Sequence, residues 1–434
     1  MSKYKKSMFN VVKPQKNGDV LMYNSRTGAI VVLSQSAYKE FENESLKDIS
    51  TLLKYGFMVE NTTYELAELA KLRGETIADE QGIFRATIAT TMACNARCWY
   101  CFERNAPVHT MNDETIEQTI KFIREHSVGK NVAIHWFGGE PFIRPDIIDR
   151  ITRELKATIG DKKYFASVAT NASLITEGIA GKLKEWCIDL VQVTIDGTKD
   201  EYLKRKAYID NDPNHYKRVM DNIESMLKAG VFVKVRINFD KGNVESAKKL
   251  IRELTEKFKL RYSRFSVYVY PLLGDCNNPI LFKSNEMQEP LKELYNELYE
   301  AGYFNTYSDL SLNPRGIHCG ARKPNSFNIG PLGNLYKCEH HVGRLEHSVG
   351  NVFTGVCKND SYYYWVNSEV PERCNSCNLL PVCQGGCAIN EGTSNTGSCF
   401  IPKSNLEDLL DMAYKIYMKG EDFNGDNCNQ CCNG

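Results

Sequence analysis

The sequence predicts an α/β protein whose largest part is a partial (β/α)6 barrel. Between residues 79 and 310, six apolar strand-like runs alternate with segments of helical periodicity. Such alternation indicates a parallel sheet, because parallel neighbours need a crossover connection that is usually a helix. Six units suit an incomplete barrel, and an open doubly wound sheet is the alternative. The predicted strands are residues 85–91, 132–137, 164–170, 190–195, 231–239 and 265–270.

The segment before the barrel predicts a small β-sheet followed by helices. Short strand-like runs occupy residues 11–14, 19–23 and 29–33, with turn residues between them. Ser34 has the residue type and position of a helix N-cap. Within the barrel, Asn112 has the same role for a helix with Ile116, Ile120 and Ile123 on one face.

Composition excludes several classes of function. The chain has 434 residues, enough for two or three domains, with 42% apolar and 25% charged residues. Its formal net charge is zero, and no basic face with interleaved aromatic residues predicts a nucleic-acid partner. No apolar run has the length of a signal peptide or a bilayer span, so we expect a cytoplasmic protein without a membrane partner.

Sixteen cysteines in such a chain indicate metal or redox chemistry rather than disulfides. Their distribution is uneven. Three lie between residues 94 and 101, eight between Cys319 and Cys399, and three close the sequence at Cys428, Cys431 and Cys432.

The first group has the spacing C-x3-C-x2-C, formed by Cys94, Cys98 and Cys101. Three thiolates can hold three irons of a [4Fe–4S] cluster and leave the fourth iron open for chemistry. The group follows the first predicted strand, and the carboxyl end of such strands is where α/β barrels keep their active sites. A zinc site that lacks one ligand is the alternative.

This spacing resembles the signature of the radical S-adenosylmethionine (SAM) enzymes. The resemblance implies that the open iron chelates the amino and carboxylate groups of SAM. An electron from the cluster then cleaves the sulfonium and leaves a 5′-deoxyadenosyl radical.

Motifs at the next strand ends are similar to the SAM-binding motifs of that family. Residues 138–141 read Gly-Gly-Glu-Pro, which in the family binds the SAM amino group. Residues 170–171 resemble its Thr-Asn-Gly, and residues 194–197 resemble its Ser-Leu-Asp-Gly. The implied SAM contacts are Tyr100, Gly138, Gly139, Glu140, Asn171, Thr194, Asp196 and Arg205.

One departure concerns the cation that would pair with the SAM carboxylate. After the Asp-Gly the family carries His-Asp and then Arg, whereas this chain has Tyr202 and then Arg205-Lys206. The sequence therefore leaves the cation uncertain by one position. Tyr100 stands where the family has an aromatic residue near the adenine.

The second cysteine group reads C-x13-G-x4-C from Cys319 to Cys338, then C-x2-C-x5-C-x3-C-x11-C from Cys374 to Cys399. This matches the seven cysteines of the SPASM domain, the auxiliary-cluster module of peptide-modifying radical SAM enzymes; structural zinc is the alternative. The resemblance assigns one auxiliary cluster to Cys374, Cys377, Cys383 and Cys399. It assigns the other to Cys319, Cys338 and Cys387, whose fourth position is open or closed by Cys357 or a tail cysteine.

Two residues are candidates for proton handling. Glu339 follows Cys338 directly, where the sulfatase-maturing branch carries an Asp that acts as a base. Asp275, beside Cys276, follows the sixth predicted strand and is a weaker candidate.

The N-terminal segment resembles the PqqD-like winged-helix element that captures a leader peptide by strand addition. The expected domains are therefore a recognition domain (1–78), a barrel (79–310), a SPASM domain (311–402) and a C-terminal helix with a cysteine-rich tail (403–434).

Together these features resemble a radical SAM maturase of ribosomally made peptides. The resemblance implies SAM and three [4Fe–4S] clusters, a precursor peptide with a leader, and a flavodoxin- or ferredoxin-like electron donor. It implies a crosslink, with a cysteine thioether as the first choice and a carbon–carbon bond as the second. A formylglycine-forming sulfatase maturase and a zinc-stabilised, peptide-binding adaptor are further alternatives.

Overall fold

The computed structural model describes residues 3–78, 82–272, 280–283, 286–304, 306–310, 312–387, 389 and 405–419. The chain divides into two compact units. The first contains residues 1–77, 302–319 and 369–434, and the second contains residues 78–301 and 320–368. None of the helices in the described ranges combines the length and apolar character needed to cross a bilayer.

The second unit contains the parallel sheet that the sequence predicts. Its six main strands are β6 (Phe84–Ala89), β7 (Val132–Phe137), β8 (Tyr164–Thr170), β9 (Ile188–Thr194), β10 (Phe232–Phe239) and β11 (Phe265–Pro271). They pair in chain order, and every neighbouring pair is parallel. A doubly wound sheet reverses its order at a switch point, and this order does not reverse. The prediction of a barrel-type α/β unit is confirmed.

Helices connect these strands in the predicted alternation. They are α4 (Asp113–His126), α5 (Pro145–Thr158), α6 (Glu177–Lys182), α7 (Lys199–Lys206), α8 (His215–Lys228), α9 (Val244–Leu254) and α10 (Gln288–Glu300). Asn112 caps α4 as predicted, with its side chain accepting a hydrogen bond from the Thr115 N–H. The buried face of α4 includes Ile116, Ile120 and Ile123.

The two faces of the sheet differ in polarity. Alternate residues of each strand are buried and apolar, such as Ile134 and Trp136 on β7. With sequential right-handed crossovers, all helices lie on one face of the sheet, so this apolar set packs against them. The opposite face is half-buried and polar, and it presents His135, Ser167, Gln192, Arg236 and Tyr268.

A short C-terminal extension completes the second unit. Strand β12 (Ser326–Ile329) adds to the sheet parallel to β6, and β13 (Leu335–Tyr336) pairs antiparallel with β12. A small hairpin, β14 (Gly350–Asn351) and β15 (Gly355–Val356), and helix α11 (Asp360–Val366) follow. The turn that contains Cys338 and Glu339 thus begins directly after a strand of the main sheet.

The first unit begins with the predicted small sheet. Strands β2 (Asn10–Pro14), β3 (Val20–Asn24) and β4 (Ile30–Leu33) form an antiparallel sheet in that order, while β1 (Tyr4–Lys6) pairs with β5 (Met58–Glu60). Helices α1 (Gln35–Glu42), α2 (Ser50–Lys54) and α3 (Glu65–Ala78) accompany them. Ser34 caps α1 as predicted, accepting a hydrogen bond from the Ala37 N–H.

C-terminal segments pack on this N-terminal sheet within the same unit. Helix α12 (Leu380–Cys383) contributes Leu380 to a cluster with Phe9 and Leu69. Helix α13 (Leu406–Met418) carries Tyr414, which donates a 2.7 Å hydrogen bond to the Asp19 carboxylate in the β2–β3 turn. The N-terminal strands and the C-terminal cysteine segment therefore share one compact body.

Candidate radical SAM site

The loop that carries Cys94, Cys98 and Cys101 follows β6 at the carboxyl edge of the parallel sheet. The loop is fixed at several points along its length. The Met92 N–H donates to the His109 carbonyl at 2.8 Å. The Arg97 N–H donates to the carbonyls of Lys206, the last residue of α7, and of Ala207, its C-cap, at 2.9 and 3.1 Å. All three cysteines are half-buried and none is in a disulfide.

The three thiols suit a bound cation. Burial raises the pKa of Cys94 to about 12 and that of Cys101 to about 11, so both favour the neutral thiol until a metal stabilises the thiolate. In the described ranges, the one set of His, Cys, Asp and Glu side chains whose ligand atoms lie within 4.8 Å of one another is Asp210, Asp212 and His215. The sulfurs of Cys94, Cys98 and Cys101 are not gathered that closely, and the irons of a [4Fe–4S] cluster take one thiolate each.

Gly138 and Gly139 form the turn after β7 in the left-handed region, with φ values of +83° and +40°. A Cβ at Gly138 would lie 2.5 Å from the Ala89 Cβ, and one at Gly139 would overlap the Ala93 carbonyl oxygen. Both residues therefore have to be glycine for this turn to approach the start of the cysteine loop. The Glu140 N–H donates to the Ala93 carbonyl at 2.8 Å and closes the contact.

Glu140 is fully buried and its carboxylate is used inside the protein. One oxygen accepts from the Thr170 hydroxyl at 2.7 Å and the Phe142 N–H at 3.1 Å, and the other accepts from the Asn171 N–H at 2.8 Å. Burial raises the pKa of Glu140, and these hydrogen bonds oppose that rise. The side chain therefore joins the carboxyl ends of β7 and β8.

Asn171 connects the end of β8 to the cysteine loop. Its amide donates to the Asn95 side chain at 2.8 Å, and Asn95 donates in turn to Ser173 at 2.9 Å. Thr194 ends β9, opposite Arg236 of β10 in the strand register. Both residues thus lie at the edge of the sheet where the cysteines are.

Tyr100, Asp196 and Lys206 form a buried hydrogen-bonded group beside Cys98. The Tyr100 hydroxyl donates to the Asp196 carboxylate, and Lys206 Nζ lies 3.1 Å from the same hydroxyl and 3.4 Å from the carboxylate. Burial alone would lower the pKa of Lys206, but Asp196 and Tyr100 raise it well above its ordinary value. Lys206 is therefore a buried cation at the end of α7, next to the cysteine loop.

Arg205, the cation predicted from the sequence, has other partners. Its guanidinium forms two hydrogen bonds of 2.6 and 2.9 Å with Asp240 and one of 2.5 Å with Glu201. Such a bidentate pair uses most of the donors of the guanidinium. Of the two adjacent cations, Lys206 is the one that lies against Tyr100 and Asp196.

Glu339 faces the polar side of the sheet and meets charged residues there. Arg236 lowers its pKa, but burial is the larger effect, so the pKa of Glu339 is raised. The charges of Arg236 and Glu339 also act on Tyr268, whose hydroxyl donates to the Gln192 side chain at 2.7 Å. His340 stacks on Phe102 of the cysteine loop with ring centroids 4.0 Å apart.

Glu103 is a site residue that sequence reasoning missed. It lies two positions after Cys101, and its carboxylate accepts a hydrogen bond from the Gly139 N–H at 3.2 Å. Burial and the charge of Glu339 raise the pKa of Glu103 to about 7. The available signal was the acidic residue directly after Cys101-Phe102, but its partners come from distant parts of the chain.

The C-terminal cysteines lie in both units. Cys338 belongs to the second unit, and Cys319, Cys374, Cys377, Cys383 and Cys387 belong to the first. Cys357 is exposed. The other predicted residues, namely Asp275, Cys276, Cys399 and the three tail cysteines, lie outside the described residues.

Residues 88–254 match the family model of the radical SAM superfamily. This match runs from the last residues of β6 to the end of α9 and therefore includes the cysteine loop and all the strand-end motifs described above.

Three known proteins are similar over most of the chain. The radical SAM cyclopropyl synthase TigE of Paramaledivibacter caminithermalis is 22% identical over 426 residues, covering 88% of this chain and 86% of TigE. The structure of anSMEcpe with bound AdoMet and the Cp18Cys peptide superposes with a TM-score of 0.63 at 18% identity, covering 78% of this chain and 99% of that one. Streptococcus suis SuiB bound to the precursor peptide SuiA gives a TM-score of 0.51 at 16% identity, covering 90% and 97%. The structural comparisons establish the fold.

Three observations indicate radical SAM chemistry in the second unit. They are the cysteine spacing, its place at the carboxyl edge of the sheet and the family match. Residues 88–254 form a radical SAM domain, and the chain that carries this domain is an enzyme.

Proposed function

We propose that the chain is a peptide maturase that abstracts a hydrogen atom from a ribosomally made precursor peptide and installs a crosslink, with a cysteine thioether as the first choice. The observation that carries this proposal is the site itself. A three-cysteine loop, a buried cation and a polar sheet face with Arg236 and Glu339 meet at one edge of the sheet. Similarity to SuiB bound to a precursor peptide and to anSMEcpe bound to a peptide supports a peptide as the substrate.

Residues of the second unit would hold the cluster and SAM. When a [4Fe–4S] cluster and SAM are bound at Cys94, Cys98 and Cys101, they supply a 5′-deoxyadenosyl radical by one-electron cleavage of the sulfonium. Lys206 neutralises the carboxylate of SAM, because it is the buried cation nearest this loop. Tyr100 and Asp196 hold Lys206 in place.

The polar sheet face receives the peptide. Arg236, Tyr268 and Glu339 interact there, and Glu339 is the group that takes the substrate proton. Arg236 stacks on Tyr270 at 4.1 Å, which leaves the guanidinium beside the exposed end of β11. Peptide carboxylate or carbonyl groups are suitable partners for it.

Two auxiliary [4Fe–4S] clusters would accept the surplus electron. Cys374, Cys377, Cys383 and Cys399 form a complete ligand set in our assignment. Cys319, Cys338 and Cys387 would hold the other cluster, whose fourth position is open or filled by Cys357 or a tail cysteine. An open position would suit a substrate thiolate and so favour a thioether. A small flavodoxin- or ferredoxin-like protein in the cytoplasm would supply the electrons.

The N-terminal sheet would capture the leader peptide along β4. Strand β2 is the less suitable edge, because Pro14 lacks an N–H and the Asn378 amide donates to the Asn10 carbonyl at 3.3 Å. Within the described chain, β4 pairs with β3 alone. Its other edge offers backbone groups to an added strand.

The register of β4 shows which N–H groups such a strand would use. The Asn24 N–H donates to the Ala29 carbonyl at 2.9 Å, so this pair is hydrogen-bonded. Antiparallel pairs alternate, which turns the N–H groups of Ile30 and Val32 to the open edge. We expect Val32→Pro to weaken leader binding at least about tenfold, whereas Val32→Ala keeps the N–H and most of the affinity. Fluorescence anisotropy with a labelled leader measures both; equal losses would contradict capture by β4.

A carbon–carbon crosslink is the second candidate, and the similarity to a cyclopropyl synthase favours it. Both products lose two hydrogens, so their masses are equal. A thioether consumes the cysteine thiol, whereas a carbon–carbon bond leaves it free for alkylation. Iodoacetamide labelling of the product, read by tandem mass spectrometry, separates the two.

The first experiment measures iron and 5′-deoxyadenosine. Anaerobically reconstituted protein with SAM and dithionite should contain about twelve irons per chain and form deoxyadenosine. Cys98→Ala should reduce deoxyadenosine below detection, and Cys187→Ala, a cysteine of the same unit away from the site, should not. A fully loaded protein that forms no deoxyadenosine would overturn the proposal.

A further inference from the structure

Glu103 is held between the cysteine loop and the Gly-Gly-Glu-Pro turn. Its carboxylate oxygen Oε2 accepts a hydrogen bond from the Gly139 N–H at 3.2 Å, and Cys101 of the cysteine loop lies two residues before it. Phe102, the residue before it, is fixed by stacking on His340 at 4.0 Å and on Phe137 at 6.1 Å. The position of the carboxylate is thus set from both sides.

The second carboxylate oxygen of Glu103 is shielded from solvent and has no hydrogen-bond partner among the described residues. A buried polar atom without a partner is uncommon and costs about 1–3 kcal/mol. The charged side chain that acts on Glu103 is Glu339, which offers no donor when ionised. This oxygen is therefore an open acceptor for an N–H or O–H group of a bound molecule.

The Glu140 carboxylate, by contrast, already has three donors within the protein, from Thr170, Asn171 and Phe142. Its role is to fix the turn that joins two strand ends. Two carboxylates thus lie at the same turn, one satisfied internally and one with an open oxygen.

We propose that Glu103, rather than the side chain of Glu140, accepts the hydrogen bond from the amino group of SAM. The inference rests on the proposed function, since it requires SAM to bind at this loop. The amino group is the donor of SAM that the Gly-Gly-Glu-Pro turn would hold, and Glu103 Oε2 is bound to that turn. Glu103 is a cofactor-binding residue in this assignment, and Glu140 is a positioning residue.

The test uses two ligands that differ only in the amino group. S-adenosylhomocysteine carries it, and its deamino analogue, the S-adenosyl derivative of 4-thiobutyrate, does not. Both lack the sulfonium charge, so the amino group is isolated. Equilibrium dialysis with anaerobically reconstituted protein gives the dissociation constants, and iron content checks that the cluster is present.

Glu103→Gln should weaken S-adenosylhomocysteine roughly 10- to 100-fold and leave the deamino analogue unchanged, because a charge-assisted hydrogen bond is lost with one ligand only. Glu103→Asp keeps the charge but shortens the side chain, and a smaller loss confined to the amino ligand is expected. Glu140→Gln should weaken both ligands to the same degree. Glu114→Gln, an exposed glutamate of α4, is the control.

An equal loss for both ligands in Glu103→Gln, or no loss for either, would overturn the assignment. So would a loss confined to the amino ligand in Glu140→Gln alone. If the wild-type protein loads its cluster and binds neither ligand nor SAM, the proposed function fails together with the inference. These outcomes differ, so the two claims can be told apart.

Discussion

Two cysteine regions of this chain are built in opposite ways. The cysteine loop at Cys94–Cys101 is attached to the parallel sheet, whereas the cysteine segment at Cys374–Cys387 lies in short turns of the other unit. Both carry three or more cysteines at close spacing. The comparison separates a cysteine loop that the protein organises in advance from a cysteine segment that, in the proposed function, depends on its metal.

The cysteine loop is ordered by the protein alone. Asn171 and Lys206 hydrogen-bond to it from the ends of β8 and α7, and the Gly138–Gly139 turn packs against its start. These contacts come from elements that are stable because their apolar faces are buried, such as Trp136 at 0% exposure. Such a loop holds its cysteines in position before iron arrives.

The cysteine segment has little structure of its own. Its regular elements are a three-residue 3₁₀ turn (Glu372–Cys374) and the four-residue α12. Neighbours in the first unit hold it, as when Arg73 of α3 donates to the Gln384 side chain at 2.9 Å. With so few residues in regular secondary structure, this segment should gain much of its stability from metal ligation.

The largest expected effect follows from the turn against the cysteine loop. Gly139→Ala should prevent assembly of the Cys94–Cys101 cluster and abolish deoxyadenosine formation, because a Cβ there overlaps the Ala93 carbonyl. Gly160→Ala is the matched control, with a similar φ of +63° but no atom within 4 Å of the new Cβ. We expect it to cost only about 1 kcal/mol. Iron content, deoxyadenosine yield and thermal unfolding distinguish them, and equal behaviour of the two variants would refute preorganisation.

A smaller and different effect is expected in the cysteine segment. Cys377→Ala should lower the iron content by about four per chain and expose residues 369–387 to limited proteolysis. SAM cleavage without peptide should persist, because the barrel cluster is separate. The exposed neighbour Asn375→Ala should change neither property. If Cys377→Ala retained full protease resistance, the segment would not depend on metal and the contrast would fail.

The sequence predicted the elements whose signals are local. All six barrel strands were found because each is a short apolar run, with errors of one or two residues at the ends of β6, β9, β10 and β11. The caps at Ser34 and Asn112 were also found, since a cap needs only its own residue type and the helix that follows. The cysteine loop was located because its spacing is short and it directly follows a strand.

The partners of buried charges were not predictable in the same way. Arg205 and Lys206 are adjacent in sequence, and only the packing of α7 directs one to Asp240 and the other to Asp196. Glu103 lies near Gly139 and Glu339 because the strands that precede these residues are neighbours in the sheet, although they are far apart in sequence. The union of the N-terminal sheet with C-terminal segments in one unit has the same origin, since no periodicity encodes a contact so distant in sequence.

Lys206 provides a sharper test of how the cysteine loop works. Lys206→Met should weaken S-adenosylhomocysteine roughly 10- to 100-fold but leave its decarboxylated analogue nearly unchanged, if Lys206 pairs with the ligand carboxylate. Arg205→Lys should lower thermal stability through loss of the bidentate Asp240 pair and affect both ligands equally. Lys204→Met, on the exposed side of α7, is the control. A selective loss with Arg205→Lys instead would return the role to Arg205.

The smallest effect concerns the pH dependence of the barrel. Burial lowers the pKa of His135 to about 4, and its Nδ1 lies 2.9 Å from the Ser167 hydroxyl. In the unfolded chain the pKa returns to about 6.5, so the unfolded state binds the proton first as the pH falls. The stability that His135 contributes is therefore present above pH 6.5 and is lost progressively between about pH 6.5 and 4.

We expect wild type to lose on the order of 1–2 kcal/mol of unfolding free energy relative to His135→Gln across this window. Thermal unfolding midpoints of both proteins at matched pH values measure it. If the difference between the two unfolding midpoints stayed constant from pH 8 to pH 5, His135 would be able to carry a charge in the folded protein. Water would then reach the polar face of the sheet, and the sheet would be a less rigid support for the cysteine loop than the comparison assumes.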